Sequence, residues 1–135
     1  MKILLYSALM NGETEKIYGL IGVAASENNI SICQTVADLA HELRQPRVGP
    51  IITVAMTATA QELISLLQIK DLLHDTRLFL VLPDRNADTV AKGHRLHPRF
   101  ITYKDSDLMD SANVLKKILK NANKEEFGPY AADTN

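Results

Sequence analysis

Four residues that could hold an anion through hydroxyls, an amide or free backbone N–H groups crowd the stretch "YSALMNGETEK" at residues 6–16: Ser7, Asn11, Gly12 and Thr14. They lie between an apolar run and a helical pattern. Hydroxyls and free backbone N–H groups at a helix start suit a phosphate or carboxylate. Two more hydroxyls, Thr57 and Thr59, follow the apolar run "GPIITVAM", and Lys104 closes "RFITYK". Brought together, these three stretches would form a crevice for an anion. Taken singly, the same residues are ordinary turn and cap formers. Lys104 reads equally as a solvated strand-end lysine, and Asp84 and Asp105 could neutralise it.

Other reactive side chains point to structure. Cys33 is the only cysteine, which rules out an internal disulfide, and within "ISICQ" it reads as a buried, inert thiol. His94 and His97 are spaced i, i+3, but no cysteine or carboxylate at ligand spacing accompanies them, so His41, His74, His94 and His97 read as solvated histidines near helix ends. His74 sits where a cation suits the helix dipole. Asp107 and Asp110 would cap or begin the last helix, and the lysines of "KKILKNANK" would compensate its dipole. No G-x-S-x-G, Walker-type or C-x-x-C motif occurs.

The elements that must position these groups alternate. Apolar strands are expected at "KILLYS" (2–7), "ISICQ" (30–34), "GPIITVAM" (49–56), "RLFLVLP" (77–83) and "RFITYK" (99–104). Helical spacing is expected over 12–29, 35–45, 59–75, 86–97 and 108–127. Thr59 and Glu62 form a capping box that opens the third helix. The third and fourth strands are continuously apolar, as parallel strands covered on both faces must be. Right-handed crossovers then give a three-layer αβα sandwich, with any ligand beyond the carboxyl ends of the strands.

A length of 135 residues fits one domain, expected over 1–127, with 128–135 as a disordered tail or linker remnant. Net charge is −1, with no Trp, four Tyr and three Phe, so neither an electrostatic nor a stacking surface for nucleic acid is expected. No apolar run reaches the roughly 20 residues that span a bilayer, and no secretory signal is evident, so a cytoplasmic protein without membrane contact is expected.

The order of elements and the phrases "KILLYSA", "ENNISICQTVADLAHELRQ" and "FITYKDSD" resemble the receiver domain of bacterial response regulators, over about residues 2–122. The resemblance implies a flavodoxin-like sheet of order 2-1-3-4-5. It also implies where phosphorylation chemistry would sit. The two Mg²⁺-holding acids after the first strand correspond to Ser7 and Ala8. The acceptor aspartate ending the third strand corresponds to Met56, or to Ala55 or Thr57 in a shifted register. The hydroxyl ending the fourth strand corresponds to Leu82 or Pro83, and the switch aromatic to Ile101; the lysine alone is kept, as Lys104. Mg²⁺ is held by carboxylates and phosphoryl transfer needs a nucleophile and a cation. The expectation is therefore a pseudo-receiver: a non-enzymatic signalling and protein-binding module with no cofactor. Its partner, or a second copy, would dock on the fourth helix, fifth strand and last helix, over Lys92, Arg95, Tyr103, Asp110, Asn113 and Lys117. An alternative remains. The loop of Ser7, Asn11, Gly12 and Thr14 also resembles a flavodoxin phosphate loop, which implies binding of flavin or another phosphate-bearing ligand. The loop is longer than that family's, and "MTATAQ" and "PDRNAD" offer no aromatic to sandwich a flavin.

Overall fold

In the computed structural model, residues 2–8, 30–46 and 49–103 are described, together with Glu15, Tyr18, Gly19, Asn113 and Lys117. Most of the expected first and last helices and the 128–135 tail lie outside the described residues; Glu15, Tyr18, Gly19, Asn113 and Lys117 are helical.

Five strands form one sheet: β1 (Lys2–Ser7), β2 (Ile30–Cys33), β3 (Ile51–Met56), β4 (Arg77–Leu82) and β5 (Phe100–Tyr103). Every pairing is parallel and the order is β2-β1-β3-β4-β5, the flavodoxin-like order. Four helices are described: α1 (Val36–Leu43), α2 (Ala60–Leu67), α3 (Lys70–His74) and α4 (Ala87–Arg95). On one face of the sheet, Leu4, Tyr6, Ala55, Leu78, Leu80 and Leu82 pack with Leu39 of α1, Leu63 and Leu66 of α2 and Leu73 of α3. Ile3, Leu5, Ile52, Val54 and Phe79, which alternate with them, are fully buried as well. A sheet buried on both faces explains why its central strands carry no hydrophobic-polar alternation. On this second face Phe79 and Phe100 stack with ring centroids 4.9 Å apart.

Local chemistry sets the helix starts. Thr35 caps α1 by accepting from the Asp38 N–H at 3.0 Å. Thr59 and Glu62 form the expected capping box at α2. The helix expected over 59–75 is instead two. The turn closes through Gln68 N–H to Ser65 and Ile69 N–H to Leu66, and α3 restarts at Lys70. The reason is phase. A straight helix with Leu63, Leu66 and Leu67 inward would aim Lys70 at the core; the break leaves Lys70 exposed and packs Ile69 against the core instead. One buried polar group within the sheet is satisfied in relay: the Thr53 hydroxyl donates to Thr76 Oγ1 at 3.1 Å, and Thr76 donates to the Leu73 carbonyl at 2.9 Å.

At Gly93 α4 lies close on β4. A Cβ there would stand 3.0 and 3.2 Å from the two Leu82 methyls, so the absent side chain sets the helix-to-sheet distance.

Candidate functional site

The carboxyl edge of the sheet is where β1 and β3 end side by side. Ser7 is in register with Met56. Both are buried, while Ala8 is exposed. A serine and a thioether thus occupy the adjoining strand ends. Thr57, one residue on, is 3% exposed, and its donors are both spent on β4. Its N–H donates to the Val81 carbonyl at 3.0 Å and its hydroxyl to the same oxygen at 2.5 Å. Thr57 therefore clamps β3 to β4 through both of its donors.

The loop after it is fastened from the other side by Glu62. One carboxylate oxygen accepts from the backbone N–H groups of Ala58 and Thr59, each at 2.8 Å, and from the Thr59 hydroxyl at 3.2 Å. The other accepts from the Tyr6 hydroxyl at 2.7 Å. Tyr6 is 2% exposed. Burial, then the hydrogen bond and negative charge of Glu62, hold its phenol well above the ordinary tyrosine range. Tyr6 escaped the sequence reading, although a signal existed: a phenol inside a strand buried on both faces must find an acceptor.

Thr59 is thus a helix cap, exposed and engaged with Glu62. Asn11, Gly12, Thr14 and Lys104, the remaining members of the expected anion crevice, lie outside the described residues. At the end of β4, Asp84 accepts from the Asn86 N–H at 3.0 Å and shapes the turn into α4. Among the described residues no three histidines, cysteines or carboxylates gather to hold a metal ion. Cys33 is buried, and burial together with the charges of Glu42 and Asp38 pushes its thiol up to about 11.

On the expected partner surface, Lys92 is paired with Asp88 one turn earlier in α4. Arg85 lies over the Tyr103 ring, 4.1 Å from its centroid, a cation–π contact that the sequence did not suggest. Arg95, Asn113 and Lys117 are exposed, and Asp110 lies outside the described residues. Ile101, which the resemblance sets against the receiver aromatic, is half-buried against the core.

No protein-family model matches the sequence, and no curated protein matches it. Two solved structures share its fold. A pilus assembly-related protein of Burkholderia pseudomallei is 15% identical, with a TM-score of 0.61 over 89% of this chain and 90% of that one. A CheY-like response regulator receiver domain protein of Methanospirillum hungatei is 8% identical, with a TM-score of 0.59 over 90% of this chain and 96% of that one. The fold is of the receiver kind. Among the described residues no helix is long and apolar enough to cross a membrane.

Proposed function

We propose that the protein is a non-catalytic signalling and protein-interaction module, a pseudo-receiver over residues 1–127 that takes up no phosphoryl group by the aspartate and Mg²⁺ route. One observation carries the proposal. Buried Ser7 and Met56 face each other across the ends of β1 and β3, where that route needs carboxylates. The clamped Thr57 supports it, because its hydroxyl already donates to Val81. The likeness in fold to a receiver domain protein of low identity supports the architecture of such a module. Its partner surface would run over α4, β5 and the segment of Asp110, Asn113 and Lys117. There Arg85 and Tyr103 stack, and Arg95 stands exposed.

A ligand shifts a conformational equilibrium only through its different affinities for the two states. Without phosphorylation that difference is missing, and the module binds its partner in one resting form. Amide spectra recorded with millimolar Mg²⁺ and either acetyl phosphate or beryllofluoride test this. The expected outcome is no shift at Ser7, Thr57 or along β5. Saturable shifts there would identify a phosphoryl acceptor and refute the proposal.

A further inference from the structure

The fold brings together two histidines that are far apart in sequence. His74 ends α3, and His97 follows α4 in the turn to β5. Their ring centroids are 5.0 Å apart, with the planes at 73°. Both side chains are exposed. His97 has φ of 53°, in the left-handed region, and its N–H donates to the His94 carbonyl at 3.0 Å. That backbone turn carries the His97 ring away from the course of α4 and over the end of α3. Along the chain His97 is spaced i, i+3 from His94 and both read as solvated; the fold sets His97 beside His74 instead.

We propose that His74 and His97 form a two-histidine site for a borderline divalent transition ion such as Zn²⁺, Cu²⁺ or Ni²⁺. The separation is the one that chelation demands. A Zn–N bond of about 2.0–2.1 Å places each imidazole centroid about 3.2 Å from the ion, and a tetrahedral angle then sets the centroids about 5 Å apart. The rings meet edge to face. Both imidazoles are exposed, so each can turn about χ2, a broad torsion, to direct a ring nitrogen at a shared ion without moving the backbone. Imidazole ligands select these ions over Mg²⁺ or Ca²⁺. Among the described residues no third histidine, cysteine or carboxylate completes the set, so water or a donor from a bound partner fills the remaining positions. An ion held there would tie the end of α3 to the turn that leads into β5.

The test is a Zn²⁺ titration of the full chain, followed by calorimetry and by the histidine ring resonances. The expected result is saturable binding of one ion per chain, with the His74 and His97 signals moving together. His74→Gln and His97→Asn should each weaken binding by at least about 10-fold, no less than the loss of a supporting group would cost. Asn tolerates the left-handed backbone at 97, so circular dichroism should be unchanged in both variants. His41→Gln and His94→Gln, at exposed histidines outside the pair, should leave binding as it was. Absence of saturation below millimolar Zn²⁺, undiminished binding in either pair variant, or loss of binding in His41→Gln or His94→Gln would overturn the site.

Discussion

Replacing Tyr6 with Phe removes a single oxygen from the centre of the β3–α2 junction. That oxygen donates to Glu62 at 2.7 Å from a side chain that is 2% exposed. A hydrogen bond to a charged acceptor contributes about 1.5–3 kcal/mol. Glu62 is half-buried and keeps its other three donors, so water can replace part of the loss. The lower end applies, and Tyr6→Phe should cost about 1–2 kcal/mol. Glu62→Ala costs more, because it does two things. It removes the capping box, at about 1–2 kcal/mol, and strands a buried phenol, at about 1–3 kcal/mol. In the double variant the phenol is gone and nothing is stranded. The two effects should therefore fall short of additivity by about 1 kcal/mol or more. Urea unfolding of the four proteins, with equal m-values, measures the cycle. A Tyr6→Phe effect below about 0.5 kcal/mol, or a coupling near zero, would refute the claim that Tyr6 ties β1 to the start of α2.

The same phenol predicts an alkaline weakness. Its folded pKa is raised, so stability is whole below the ordinary tyrosine value of about 10 and declines as pH rises past it, because the unfolded chain gives up the proton first. Urea midpoints between pH 9 and 11.5 should fall less steeply in Tyr6→Phe than in the parent. Gly93→Ala gains up to about 1 kcal/mol of helix propensity but presses a methyl against Leu82 at 3.0 Å, where overpacking costs about 1–3 kcal/mol. A net loss of about 1 kcal/mol in thermal or urea unfolding is expected, and a more stable variant would show that α4 can lift from β4 freely. Thr57→Val removes the hydroxyl donor to Val81 but leaves the backbone donor in place, so a cost of about 1 kcal/mol is expected in urea. Cys33, buried and with its thiol raised to about 11, should resist alkylation at pH 8 until urea reaches the unfolding transition. Labelling at native rates typical of a free thiol would contradict its place in the core.

The sheet was legible because its signal is local and redundant. "KILLYS", "IITVAM" and "RLFLVL" are predominantly apolar, and each of the three is a strand. The strand order came from the resemblance to receivers, since periodicity carries no information about neighbours. The pattern over 59–75 reads as one continuous helix because apolar residues recur throughout it. The competing demand, keeping Lys70 out of the core, shows only once the sheet fixes which side is inward. The site was half legible. Met56, Ser7 and Thr57 fall at the carboxyl edge as the pattern required, but their partners come from other strands. Nothing in "MTATAQ" says that Thr57 will spend its hydroxyl on Val81, 24 residues away. Likewise Tyr6 and Glu62 are 56 residues apart, and His74 meets His97 only because two helices end on the same side of the sheet.

Those long-range contacts share a physical logic. A receiver-like edge that exchanges a phosphoryl group must keep hydroxyls and charges available, held by a metal and by water. Here the described polar groups of the β3–α2 junction are matched internally. Two backbone N–H groups and two hydroxyls converge on Glu62, and a third hydroxyl and its own N–H converge on Val81. Satisfied networks of this kind rigidify, because moving Glu62 or the Val81 carbonyl leaves the buried Tyr6 or Thr57 donors unpaired. An external ligand at this junction would have to displace Glu62 from four donors at once, and the charge it brought would have to match a carboxylate already in place. Stability at the junction and responsiveness to phosphate draw on the same donors. The sequence has committed them to stability, and that commitment is what the proposal of a module without phosphoryl uptake rests on.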